Sequence, residues 1–288
     1  MVDALQFAGG KFHCPVTLYA AHPEASRTLV ILPALGVTAR KYAGLAQRLV
    51  AAGHNVLVAD WPGQGESLPR PGWRFNYGYR QLVEEFLPKL LQLARRHFPQ
   101  AVPVLLGHSL GGHIATLYAA ANPDSPVAVI GVACGNIHYR HWQGPSRLLT
   151  PSVALLFGLL ASLLGHLPGQ RLGFGGREAR SLMRDWGRVA FSGHYRHLGL
   201  TLAPAARNRV ASLYIQIEGD KFAPPASTQG LAELIQVEPQ LLYLASPRPP
   251  QANPHSAWLR APQSVVDCID QWLTTATGSP REMALAQP

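Results

Sequence analysis

Gly107-His108-Ser109-Leu110-Gly111 sets a serine between two glycines, at a point where an apolar run gives way to a helical pattern. Val102 to Leu106 is short and apolar enough for a buried strand, and Gly112 to Ala121 reads as helix. A serine on so tight a turn has strained backbone angles that only small neighbours tolerate, which accounts for glycine at 107 and 111. The turn lifts the hydroxyl clear of the sheet. It also aims the amide of Leu110, at the helix N-terminus, toward any oxyanion that forms beside it. The chemistry this predicts is nucleophilic attack on a carbonyl. G-x-S-x-G also recurs by chance in glycine-rich chains, so the reading needs an acid and a base downstream.

Both follow. Ala211 to Ile217 is a β-rich apolar run ending in Glu218-Gly219-Asp220, which places a carboxylate in the loop at a strand's C-terminal end. Strand alternation puts Glu218 and Asp220 on the same side, but only Asp220 lies past the strand end, so Asp220 is the expected acid. Gln240 to Ala245 reads as another strand. A proline-rich loop then carries His255 just ahead of an amphipathic helix, Trp258 to Leu273. The order Ser109, Asp220, His255 is the one required when nucleophile, acid and base come from successive loops at one edge of a parallel sheet. A free serine hydroxyl is a poor nucleophile near neutral pH, so His255 must take its proton during attack and return one to the leaving group. Asp220 would orient the imidazole and stabilise the imidazolium.

On these motifs the chain resembles the α/β-hydrolase family over roughly residues 10 to 275. Two further stretches carry the likeness: Leu32-Pro33-Ala34-Leu35-Gly36, standing where family members often have His-Gly-x-Gly, and Asp60-Trp61-Pro62-Gly63-Gln64-Gly65-Glu66-Ser67, similar to the family's D-x-x-G-x-G-x-S loop. The Pro-Ala-Leu-Gly turn, with Gly-Asp-x-x-Ala-Pro around Asp220 and Pro-His-x-x-Trp around His255, resembles a bacterial branch of predicted serine hydrolases. The resemblance implies a second oxyanion donor in the backbone amide of Leu35, paired with that of Leu110. It also implies an acyl-enzyme that water opens to release an acid.

The elements that must position these residues alternate. Strands are expected near 16 to 20, 28 to 33, 55 to 59, 102 to 107, 127 to 133, 211 to 217 and 240 to 245. Helices are expected over Ala39 to Ala52, and over Tyr79 to Phe98 with a break near Pro88. This pattern predicts an α/β fold: a mainly parallel sheet with helices on both faces and a helical lid insertion. Residues 1–139 and 211–276 form the expected core, 140–210 the lid, and 277–288 a flexible tail. At 288 residues and 47% hydrophobic content, the chain can bury a large core. Cys14, Cys134 and Cys268 are odd in number and widely spaced, which predicts free thiols in a reducing compartment and no metal site. Met1 to Gln6 lacks the basic start and apolar run of a secretion signal, so a cytoplasmic location is expected.

The alternation stops after Cys134. Residues 140–210 hold ten Arg and no Lys against Glu178 and Asp185, so ten minus two, or +8, of the chain's formal +9 is local. The plain reading is solvated arginines on an ordinary helical cap; the other is a basic lid that favours anionic substrates or an anionic surface. Ser152 to Leu167 contains no formally charged residue and is read as a lid helix packing over an acyl pocket, being shorter than a membrane span. Contact with a lipid surface is the less favoured alternative.

These readings converge on a serine hydrolase that cleaves a carboxylic ester or thioester without a cofactor. The partner is a small-molecule acyl ester, with no role for nucleic acid. An acyltransferase with the same triad and a noncatalytic ligand-binding module on the same fold are the alternatives. His108 is expected to pack or hydrogen-bond beneath the serine turn, His113 to point elsewhere, and Asp60 and Ser67 to frame a turn.

Overall fold

The computed structural model describes residues 2–7, 10–22, 24–246 and 253–276; the expected tail, 277–288, lies outside them. The strands are β1 (Val2–Phe7), β2 (Gly10–Tyr19), β3 (Arg27–Leu32), β4 (Asn55–Ala59), β5 (Val102–His108), β6 (Ala128–Val132), β7 (His166–Pro168), β8 (Arg177–Ala179), β9 (Ser212–Ile217) and β10 (Leu241–Leu244). The helices are α1 (Ala43–Ala51), α2 (Tyr79–Gln81), α3 (Leu87–His97), α4 (Leu110–Ala121), α5 (Ser146–Leu164), α6 (Arg180–Ser192), α7 (Pro225–Ala232), α8 (Pro254–Ala257) and α9 (Gln263–Ala276).

Eight strands form one sheet in the order β1-β2-β4-β3-β5-β6-β9-β10. β1 and β2 join it antiparallel, and every pairing from β4 to β10 is parallel. β3, β4 and β6 are buried along their whole length, as strands covered on both faces must be. Their side chains sort by parity. Leu29, Ile31, Val56 and Val58 meet α1 and α9 on one face, and Val30, Leu32, Leu57 and Ala59 meet α3 and α4 on the other. The α/β-hydrolase architecture follows from this doubly covered sheet, with the C-terminal ends of β3, β5, β6 and β9 opening along one edge.

The sequence expectations and the structure part at particular residues. The sheet is extended by the β1–β2 hairpin, of which only 16 to 20 was expected. Tyr79 to His97 runs through without a break, because a wide π turn over Leu82–Phe86 precedes Pro88 and absorbs its missing amide. The helix expected from Trp258 to Leu273 is divided: α8 and a single turn, Trp258–Arg260, end at Ala261, and α9 starts after Pro262. α4 begins at Leu110, directly after the serine. The segment between β6 and β9 holds α5, the β7–β8 hairpin and α6. Here the apolar helix starts earlier than expected and ends at Leu164, where Gly165 takes a left-handed conformation that stops it. α5 packs along α6 and does not line the cavity over Ser109.

Candidate active site

Ser109 stands between β5 and α4 with φ 52° and ψ −112°, a conformation few non-glycine residues adopt. The flanking glycines answer to close approach. A Cβ at 107 would fall 2.3 Å from the backbone of Gly111, and one at 111 would fall 2.0 Å from the carbonyl oxygen of Leu32. The first turn of α4 can therefore sit directly on the end of β3, leaving the Ser109 hydroxyl at the sheet edge.

The three distant side chains meet there. Ser109 Oγ donates to His255 Nε2 at 2.9 Å, and His255 Nδ1 donates to Asp220 Oδ2 at 2.8 Å. The Asp220 side chain is 1% exposed, and its other oxygen accepts from the amides of Phe222 and Ala223 at 2.8 and 3.2 Å. This carboxylate is held from both ends. Gly219 turns the chain with φ 73°, which removes the same-side relation expected of Glu218 and Asp220: Glu218 is exposed, and among the described residues its carboxylate accepts from the Ser246 amide at 3.4 Å.

Leu35, Leu110 and Ser109 share the wall of a cavity of about 230 Å³. That is below the roughly 300–1,000 Å³ of pockets that take drug-sized ligands. Its apolar walls come from Leu35, Val37, Ile137, Phe174, Trp186 and Phe222. Among the described residues lining it there is no Asp, Glu, Lys or Arg, so none of the ten arginines of 140–210 reaches it. Phe174 and Trp186 come from that segment, and they join Phe157, Ala161, Leu167 and Met183 in a small cluster behind Leu35.

Two histidines flank the serine, and their ring nitrogens pair with groups other than its hydroxyl. His108 lies beneath the turn, as expected, and burial with the neighbouring His255 lowers its pKa to about 3. His113 does not point elsewhere. One helical turn after Ser109, it lines the cavity, donates from Nε2 to the carbonyl of Gly135, and accepts at Nδ1 from the Tyr79 hydroxyl at 3.3 Å. Burial lowers its pKa to about 4, so it is a neutral part of the cavity wall. The four-residue spacing from Ser109 is the signal that could have placed it. Tyr79, Phe174 and Trp186 carry no such local signal. Asp60 braces its glycine-rich loop by accepting from the amides of Ala39 and Glu66 at 2.7 and 3.0 Å, and lies outside the cavity wall.

A serine hydroxyl backed by an imidazole and a buried carboxylate, at the edge of a doubly covered sheet, defines an α/β-hydrolase. Residues 23–190 match the family model for serine aminopeptidase, S33, and the chain belongs to that family. Among curated proteins, it is 35% identical over 157 residues to the 2-hydroxy-6-oxononadienedioate/2-hydroxy-6-oxononatrienedioate hydrolase of Cupriavidus pinatubonensis, covering 52% of this chain and 47% of that protein. It is 26% identical over 158 residues to lipoprotein lipase of Neovison vison, covering 52% of this chain and 32% of that protein. The match thus spans less than half the length of these relatives. A soluble variant of monoglyceride lipase from Saccharomyces cerevisiae shares the fold, with a TM-score of 0.65 and 16% identity over 95% of this chain and 96% of that one.

Proposed function

We propose that this protein is a serine hydrolase that cleaves a carboxylic ester of a short, uncharged acyl group through an acyl-enzyme. The observation that carries the reading is the unbroken chain of two hydrogen bonds, 2.8 and 2.9 Å, from Asp220 through His255 to Ser109. In this reading Ser109 Oγ attacks the carbonyl carbon while its proton passes to His255 Nε2. Asp220 stabilises the resulting imidazolium without taking the proton. The amides of Leu35 and Leu110 receive the oxyanion; Leu110, at the first position of α4, has a donor without an intrahelical acceptor. Collapse of the tetrahedral intermediate expels the alcohol with the proton from His255. Water, deprotonated by the same imidazole, then releases the acid.

The substrate class follows from the cavity wall. An α-amino group calls for a facing carboxylate, and an anionic acyl group for a facing cation; neither lines the cavity among the described residues. Its small size and its aromatic and aliphatic walls favour a short apolar acyl chain over a long or charged one. Residues 140–210 act as a lid in this reading, contributing Phe174 and Trp186 to the wall. A fluorophosphonate probe tests nucleophile and activation together. Peptide mapping should find the label on Ser109, and Ser109→Ala should abolish both labelling and p-nitrophenyl butyrate hydrolysis. Labelling elsewhere, or full activity in the alanine variant, would reject the assignment.

A further inference from the structure

α5 reverses the usual placement of leucine. Of its 19 residues only Arg147 is formally charged, yet only Ala154, Phe157 and Ala161 are buried. Leu148, Leu155, Leu156, Leu159 and Leu163 are between 51% and 73% exposed. Positions 148, 155, 159 and 163 recur at helical spacing, so the exposure forms one continuous stripe. A groove of about 530 Å³ runs beside it, between α5 and α6, with Leu155, Leu159 and Phe191 on its apolar rim and Arg184 and Arg188 on its charged one. An apolar face this long, bordered by cations, marks a binding surface.

Charge identifies the occupant. Glu178 and Asp185, the only acids of residues 140–210, are 1% and 7% exposed, whereas Arg140, Arg147, Arg184 and Arg188 are exposed. The surface around the stripe therefore offers positive charge without compensation from its own acids. A second copy of this chain would bring the same charge against itself. Nucleic acid would engage the arginines and leave the leucines in water. A crossing helix is excluded by packing: Ala154, Phe157 and Ala161 are buried against the body, and β7 follows directly, so α5 lies flat. We infer that the α5 stripe and its flanking arginines dock this protein on an anionic phospholipid surface, leucines among the acyl chains and guanidinium groups at the phosphates. Leu35, Phe174 and Trp186 belong both to the cavity wall and to the cluster beneath α5, so the docked face backs the wall of the candidate active site.

The inference stands apart from the hydrolytic reading, because docking does not require Ser109 to react. The test is therefore co-sedimentation of the full-length Ser109→Ala protein with vesicles of phosphatidylcholine alone or mixed with phosphatidylglycerol. Binding should favour the mixed vesicles and weaken as salt rises. Leu155→Glu with Leu163→Glu should lower partitioning at least tenfold on mixed vesicles. Arg184→Gln with Arg188→Gln should lower it roughly 10- to 30-fold there and leave the weak binding to neutral vesicles unchanged. Introduced with Ser109 intact, both pairs should leave hydrolysis of soluble p-nitrophenyl butyrate unchanged, which separates lost docking from lost folding. No partitioning on either vesicle, or undiminished partitioning of the leucine pair, would overturn the inference. So would a concentration-dependent dimer, seen by sedimentation velocity, that the leucine pair abolishes.

Discussion

His108 Nε2 donates a hydrogen bond of 2.8 Å to the backbone carbonyl of His255, so the residue before the candidate nucleophile holds the main chain of the candidate base. The line continues on the other side of the ring. Nδ1 accepts from the Tyr42 hydroxyl at 2.8 Å, and that oxygen accepts from the amide of Ala34 at 2.8 Å. One buried path thus connects the strand end beside Leu35, the Ser109 turn and the His255 loop. Burial and the nearby His255 hold the His108 pKa down at about 3, so its neutral form and single tautomer persist across the working pH range.

His108 is accordingly a positioning residue, and His108→Leu should lower kcat about 10- to 100-fold with KM little changed, since displacements near 1 Å carry costs of that order. His108→Gln, which keeps a donor toward the His255 carbonyl, should recover part of the loss. The pH–rate profile should keep its shape in both variants. A profile shifted in His108→Gln would instead make His108 a proton-transfer group.

Asp220 and Glu218 lie two residues apart and should behave as different kinds of residue. Asp220→Asn replaces an acceptor facing His255 Nδ1 with a group that can favour the wrong imidazole tautomer, so kcat should fall by about 10⁴. Glu218→Gln alters an exposed side chain and should change kcat less than twofold. Steady-state kinetics on p-nitrophenyl butyrate decide between them, and a steep loss in Glu218→Gln would move the acid to 218.

Glycines in this chain separate by what surrounds them. Gly111→Ala places a methyl group 2.0 Å from the Leu32 carbonyl, against backbone that cannot yield, and should destabilise by about 3 kcal/mol with a melting temperature lower by several degrees. Gly158, inside α5, has open space where a Cβ would stand. Gly158→Ala should stabilise by about 0.5–1 kcal/mol through helix propensity alone. Calorimetry on the two variants should give shifts of opposite sign.

The sheet and the Ser109–Asp220–His255 constellation were legible because each has a local signature. Runs such as Leu29–Leu32 and Val56–Ala59, short, apolar and rich in β-branched residues, fit doubly covered strands, and the glycines around Ser109 mark its turn. What sequence left open depends on partners from elsewhere in the chain. Pro88 reads as a breaker because a π turn cannot be seen in composition. The apolar run of α5 predicts burial, and only the packing shows that its small residues face inward while its leucines face out. Arginines counted along 140–210 leave solvated charge and an anionic substrate or surface both open, whereas their placement outside the cavity wall separates that charge from the candidate chemistry.

Glu178 connects the 140–210 segment to the turn that carries Leu35, and it makes this contact sensitive to pH. Its Oε1 accepts from the amide of Gly176 at 2.6 Å and its Oε2 from Gln64 Nε2 at 3.1 Å. The loop it holds presses on Gly36, where a Cβ would fall 2.0 Å from the backbone of Gly175. Burial raises the Glu178 pKa to about 7 from an ordinary value of 4.5, the Gly176 amide opposing in part. The folded state therefore keeps a proton that the unfolded chain has already released. Stability should fall as pH rises from about 4.5 to 7 and then level, by an amount on the order of 3 kcal/mol. Glu178→Gln supplies a neutral side chain of the same shape, so its melting temperature should exceed that of the parent at pH 8 and match it near pH 4.5. Melting curves across that interval are the measurement, and parallel curves for the two proteins would show that Glu178 is not the group whose ionisation loosens this contact.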